Sequence, residues 1–267
     1  MSVQNVWESR MEPFCILGNL YFVGTKPASS HIIDTGDGLI MLDSGYPETL
    51  YLVIQSMHEL GLDPYDLRYI LHSHGHIDHI GGTRALVELT GAKTILGRQD
   101  LDYVTGKRDL TFAKELGMKF DCPFTPDILL DDGDEIRLGN TVIRCLHTPG
   151  HTEGTFSFFF DVTAHGNTYR VGTHGGVGEN SMAKAFLEQY GLPLSLRDDF
   201  RNGLHRLRDE KVDVFIGNHQ HQCHTLERYQ QIKAGKWDAF VDRQAWPDFL
   251  DSCERMLDAL LARENAG

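Results

Sequence analysis

The sequence predicts an α/β chain built from two packed β-sheets with helices outside them. Short apolar runs of strand length alternate with segments whose apolar residues recur at helical spacing. From Asp127 the pattern turns to strands, and a helix–strand unit recurs in the second half.

Leu20 to Val23, Ile32 to Ile33 and Leu39 to Leu42 read as strands, the last ending at the turn Asp43-Ser44-Gly45. Glu48 to Leu60 carries helical periodicity and stops at Gly61. Arg68 to Leu71 is a buried-strand pattern that runs straight into a histidine-rich loop, after which Gly81-Gly82 opens a helix through Leu89. A strand at Thr94 to Leu96 and a helical segment follow. Asp132-Gly133-Asp134 is a turn signal, with strands expected at Thr141 to Leu146, Thr155 to Phe160 and Tyr169 to Val171. A helix around Arg197 to Glu210 leads to a strand at Val212 to Ile216 and the loop Gly217-Asn218-His219. The remainder reads as helical, its last helix starting at Trp246-Pro247 with Phe249, Leu250, Cys253, Met256, Leu257 and Leu260 on one stripe.

With 267 residues, 41% hydrophobic and 24% charged, the chain has the composition of a globular protein with a sizeable core. No repeat or linker divides it. Residues 1–223 are expected to form the main domain, with 224–267 a C-terminal helical extension packed on it. That extension offers two roles, a cap over a cleft or a homo-oligomer contact. The net charge of −13 opposes nucleic acid and anionic membrane surfaces as partners. Met1 to Asn5 lacks the basic start of a signal peptide and no run approaches a membrane span, so a cytoplasmic location is the expectation. Five cysteines without a C-x-x-C pair argue against a disulfide framework and a thiolate metal site; Cys223 alone lies in a histidine-rich stretch.

Zinc accepts imidazole nitrogen and carboxylate oxygen at about 2 Å, and a catalytic ion needs three protein ligands with a further position left open. In His72-Ser73-His74-Gly75-His76-Ile77-Asp78-His79, alternation along an extended loop aims His74 and His76 the same way, and Asp78 and His79 face a neighbouring point. A lone histidine is usually an ordinary polar residue. Here the run is joined by His151 in H-T-P-G-H and by His219 after a strand, so chance would have to supply three separate places.

With H-S-H-G-H-I-D-H from His72 to His79 and H-T-P-G-H-T from His147 to Thr152, the chain resembles the metallo-β-lactamase superfamily. The resemblance runs from about Gly18 (G-N-L-Y-F-V-G) through M-L-D-S-G at Met41 to Gly45 and on to His219. It implies a four-layer αββα sandwich of two mixed β-sheets flanked by helices. In ligand order and type the chain is most similar to the third (B3) subclass, which implies His74, His76 and His151 on one zinc ion and Asp78, His79 and His219 on the other. The function implied is hydrolysis of an amide, lactone or ester carbonyl by a hydroxide shared between the metals, with Asp78 both ligating and orienting the nucleophile. A small-molecule substrate follows, and iron or manganese could replace zinc on such N/O ligands.

The chain departs from the family in two places. Glyoxalase II and lactonase members carry a metal-bridging aspartate after the strand that here ends near Val171, whereas this chain reads Gly172-Thr173-His174-Gly175-Gly176. That favours the B3-like arrangement over glyoxalase-like or lactonase-like ones. The same loop in the third subclass supplies serines for the β-lactam carboxylate, and glycines and Val177 stand here instead. This makes a β-lactam a poor expectation for the physiological substrate.

Asp43 is a candidate hydrogen-bond partner for a ligating imidazole, or simply a turn former. His174 is a candidate for contact with metal or substrate, or an ordinary loop residue. His72 is expected to be buried by the strand, and His147 to brace the Pro149-Gly150 turn; His221 and His224 receive no role. The alternatives are a thioesterase, glyoxalase II-like or phosphodiesterase member, and a non-catalytic metal or interaction protein on the same fold. Three ligands per ion and no cysteine pattern favour catalysis over a closed structural site. A redox di-iron site would call for further carboxylates, and the acidic balance disfavours an RNA nuclease.

Overall fold

The computed structural model describes residues 5–266. The reading of Met1 to Gln4 as free of a leader lies outside them, and so does Gly267.

Strands β1 (Phe14–Leu17), β2 (Leu20–Phe22), β3 (His31–Asp34) and β4 (Leu39–Leu42) form an antiparallel meander. β5 (Leu67–Leu71), β6 (Lys93–Gly97) and β7 (Ile128–Leu130) extend it in parallel into a seven-stranded sheet ordered as the chain runs. Its crossovers hold α1 (Leu50–Glu59), α2 (Ile77–Ile80), α3 (Thr83–Thr90) and α4 (Leu101–Val104). In the second sheet, β8 (Glu135–Leu138), β9 (Thr141–His147), β10 (Phe156–Ala164) and β11 (Asn167–Thr173) are antiparallel, and β12 (Val214–Phe215) joins β11 in parallel. Helices α5 (Lys184–Gln189) and α6 (Leu196–Leu207) lie between β11 and β12, and α7 (Thr225–Lys233) and α8 (Ala245–Ala266) follow.

Side chains alternate across a strand, so each sheet has two faces to cover. Phe22, Ile33, Ile40 and Leu42 of the first sheet share one core with Ile143, Cys145, Phe158 and Phe160 of the second. The alternate residues Ile32, Met41 and Ile70 pack instead with Val53 and Met57 of α1 and Leu86 of α3. On the other side Phe159 meets Trp246 of α8 at 5.8 Å, Phe215 meets Phe249 at 4.4 Å, and the Trp246 indole donates to Leu207 O at the end of α6. Two mixed sheets between two helical layers result, as the sequence implies.

Local differences have local causes. β8 escapes the sequence reading because it buries only Ile136 among exposed polar neighbours at a sheet edge. β1 and α5 were likewise not predicted. Residues 77–80, read as loop, form the single helical turn α2. The expected helical run after His224 is interrupted between α7 and α8, where Val241 bridges Val214 and extends the second sheet by one contact. Among the described residues no helix is long and apolar enough to cross a membrane.

Candidate metal centre

Three connections meet at one end of the sandwich. The first follows β5 and carries His74, His76, Asp78 and His79; the second joins β9 to β10 and carries His151; the third follows β12 and carries His219. His74 and His76 have ring centroids 4.7 and 4.6 Å from that of His151, and His79 and His219 are 5.1 Å apart. Potential ligand atoms of His74, His76 and His151 all lie within 4.8 Å of one another, as do those of His74, Asp78 and His79. His219 joins the second group through Nε2, 3.6 Å from Asp78 Oδ2. His74 thus stands between the two groups, and all six candidate residues belong to one cluster.

The imidazoles are held by their far nitrogens. His79 Nδ1–H donates to Asp43 Oδ2 at 2.8 Å, His219 Nδ1–H to Pro27 O at 2.8 Å, and His151 Nδ1–H to Gly178 O at 2.9 Å. The Ser73 hydroxyl gives its proton to Asp43 Oδ2 at 2.7 Å, so it accepts from His74 Nδ1 at 3.0 Å. In the neutral ring each such donation leaves a lone pair on Nε2, the form a metal requires. Among the described residues the buried Nε2 of His74 has no hydrogen-bond partner, and that of His79 meets only Asp78 Oδ2, at 3.2 Å. Buried polar atoms are rarely left so, and a cation is the partner this donor set fits.

Electrostatics favour neutral imidazoles at His74, His76 and His151 beside an ionised Asp78, and His79 is the exception. Burial, then neighbouring imidazoles, hold His74 and His76 well below the ordinary histidine value. Burial pushes His151 down to about 4. For His79 burial acts downward too, but Asp78 and Asp43 outweigh it and push the ring up to about 10. Burial works against ionisation of Asp78, and His79, His219 and His76 outweigh it, holding the carboxyl below the usual carboxylate range. The Asp78 carboxylate is the negative charge a divalent ion would meet.

Asp43 therefore does more than form a turn: besides His79 and the Ser73 hydroxyl it accepts from the Ser73 amide at 2.7 Å. His174 stands apart. Its Nδ1 accepts from Gly176 N at 3.1 Å and its ring centroid lies 5.8 Å from that of Phe200, in the second sheet's helical layer. His72 is buried between Ile95 O and the Thr83 hydroxyl, and His147 Nε2–H donates to Glu153 O at 2.9 Å, bracing the turn before β10. Cys223 faces away from the cluster and accepts from Gly217 N at 3.2 Å, steadying the loop of His219.

Sequence reasoning missed Ser181, whose hydroxyl lies 3.0 Å from His151 Nδ1 and donates to His151 O at 2.7 Å. It missed the cleft walls too. The cluster opens into a cleft of about 160 Å³ lined by Tyr46, Phe112, Leu116, Gly178, Asn180 and Ser181 together with His76, Asp78, His151 and His219. Phe112 holds φ of 62°, a left-handed conformation costly for a bulky side chain, and its ring centroid lies 5.3 Å from that of His76. A larger groove of about 890 Å³ runs between Arg144, Arg170, Arg243 and Trp246, but it contains none of the cluster, and these arginines pair with Glu210, Asp161 and Asp213.

Comparison with known proteins bears on the family. The native FEZ-1 metallo-beta-lactamase from Legionella gormanii superposes with a TM-score of 0.89 at 27% identity, covering 97% of this chain and 98% of that one. BJP-1, a subclass B3 metallo-beta-lactamase of Bradyrhizobium japonicum, superposes with a TM-score of 0.86 at 25% identity, covering 98% of each chain. Among curated relatives, the probable metallo-hydrolase YflN of Bacillus subtilis (strain 168) is 26% identical over 159 residues, 54% of this chain and 57% of its own length. The chain spans between 30% and 61% of the length of the curated relatives it matches. Residues 23–163 match the metallo-beta-lactamase superfamily, and that span contains both the His74–His79 loop and His151. The fold, the cluster and these matches agree: the chain belongs to the metallo-beta-lactamase superfamily.

Proposed function

We propose that the chain is a metal-dependent hydrolase whose cluster holds two zinc ions, His74, His76 and His151 on one and Asp78, His79 and His219 on the other. The observation that carries this reading is the convergence of two groups of potential ligand atoms, each within 4.8 Å, in a cluster whose His76, Asp78, His151 and His219 line an open cleft. A structural site would be closed by a full set of protein ligands, whereas a catalytic one keeps a position for solvent and substrate. When bound, zinc supplies Lewis acidity and makes water a nucleophile near neutral pH, and iron or manganese would suit the same ligands.

The chain's own residues prepare the rest. Asp43, Pro27 and Gly178 fix three imidazoles in one tautomer, so no ring must turn when a substrate arrives. Asp78 stays ionised at the edge of the cleft, where it can orient a water and accept a hydrogen bond from it. Tyr46, Phe112 and Leu116 give the cleft an apolar wall that excludes bulk water and suits a nonpolar substituent beside the scissile bond, while Asn180 and Ser181 place neutral polar groups opposite. Hydrolysis of a carbonyl compound, whether amide, lactone or ester, fits this arrangement, and the near full-length likeness to two metallo-beta-lactamases supports it.

The test joins metal analysis of the purified protein to a panel of β-lactams, lactones, thioesters and phosphodiesters. Bound zinc and hydrolysis of a carbonyl member are expected, with turnover lost in His76→Ala and His219→Ala variants that remain folded. A protein that takes up no metal, or a variant that keeps near wild-type turnover, would reject the assignment.

A further inference from the structure

We infer that Asp100 is a positioning residue for this centre: its carboxylate straps the loop of His74 and His76 to the loop of His151 and sets the spacing of ligands that arrive from different sheets. The inference rests on the reading of the cluster as a metal centre. Asp100 ends the 3-10 turn Arg98–Asp100 just after β6 and is fully buried. Its Oδ2 accepts from the Gly75 amide at 2.8 Å and from the Thr152 hydroxyl at 2.7 Å. Its Oδ1 accepts from the Gly154 amide at 2.7 Å. Gly75 lies between His74 and His76, and Thr152 follows His151 directly. One side chain therefore grips the backbone between two candidate ligands and the side chain next to a third.

The fit around the strap is close. A Cβ at Gly154 would lie 2.6 Å from Asp100 N, and one at Gly97 would lie 2.2 Å from Gly154 O. Glu153, inside the same turn, is held from outside by Tyr103 and by Arg108. The three partners of Asp100 are neutral donors, so its negative charge is buried without a bonded cation. An arrangement of that kind is a poor way to gain stability, because a buried carboxylate loses its hydration and well-packed apolar residues would cost less. Charge-assisted bonds are, however, short and directional, which is what holding two loops at a fixed separation requires. Asp43 serves His79 and, through Ser73, His74, so the strap bears chiefly on the ion of His74, His76 and His151.

Asp100→Asn tests this, because an amide of the same shape turns an N–H toward at least one donor, and Thr152→Val removes a single strap bond. Zinc affinity is measured by chelator competition on metal-free protein, together with the rise in melting temperature that zinc produces. The strap predicts a loss of roughly 10- to 100-fold in affinity for D100N, a smaller loss for T152V, and a reduced zinc-induced rise in both. A merely structural Asp100 would lower the melting temperature with and without zinc alike and leave the rise intact, which would overturn the inference. So would zinc binding by D100N within about twofold of wild type. Should D100N fail to fold, T152V decides, weakened binding upholding the strap and unchanged binding rejecting it. Wild-type protein that binds no zinc would instead bring down the metal reading itself.

Discussion

His79 Nδ1 lies 2.8 Å from Asp43 Oδ2, and Asp43 adopts φ of 57° to bring its carboxylate there. Aspartate and asparagine tolerate this left-handed conformation better than other residues with a Cβ. Asp43→Asn therefore keeps the backbone while replacing an acceptor of three hydrogen bonds with an amide that faces donors. Zinc affinity should fall by roughly 10- to 100-fold. Asp43→Ala adds backbone strain and leaves buried donors unpaired at about 1–3 kcal/mol each, so its melting temperature should drop below that of D43N. Chelator competition and thermal denaturation check both.

Phe112 separates strain from recognition. Phe112→Gly relieves the positive φ and removes the ring, whereas Phe112→Ala removes the ring and keeps the strain. The glycine variant should be the more stable of the two by about 1 kcal/mol, measured by denaturant titration. Both should raise KM for substrates with an apolar substituent by about 5- to 30-fold, the worth of 1–2 kcal/mol of lost contact, with a smaller change in kcat.

Gly176 is needed for space. A Cβ there would stand 2.3 Å from His151 Cδ2, so Gly176→Ala must push the imidazole out of place. Metal content per chain and turnover should both fall in a variant whose circular dichroism is unchanged. Full zinc occupancy in G176A would show that His151 is free to move without consequence.

Acid should loosen the outer helices. Glu254 of α8 accepts from His205 at 3.0 Å, Arg208 at 2.8 Å and Arg201 at 3.2 Å, and these partners, His205 first, hold its carboxyl down at about 2. A depressed carboxyl stabilises the fold above its unfolded value of 4.5 and loses that contribution as pH falls from there toward 2. Glu254→Gln should therefore show a shallower decline in melting temperature between pH 4.5 and pH 2 than wild type.

Leu39–Leu42 was legible because its apolar residues form a continuous run covered on both faces. The candidate cluster was legible because His74, His76, Asp78 and His79 sit within one short run and His151 and His219 follow expected strands. Of the groups that hold it, Asp43 was singled out and the others were not. Asp100 and Ser181 lie well away from those ligands along the chain, and nothing in their local sequence distinguishes them from an ordinary turn carboxylate or hydroxyl. Tyr46, Phe112 and Leu116 belong to loops without periodicity, so their place on the cleft wall comes from packing alone. His174 stands at a suggestive position in the chain, and its ring lies 5.8 Å from that of Phe200.

The candidate ligands come from β5, from the β9–β10 connection and from the far side of β12. During synthesis a nascent chain exposes its first four candidate ligands while the residue that completes the set has yet to leave the ribosome. The centre must therefore close late, after both sheets have met, because distant segments are brought together only once the entropy of the intervening loops has been overcome. Any ion captured earlier would be held by a partial set, and its exchange would continue until His219 arrives.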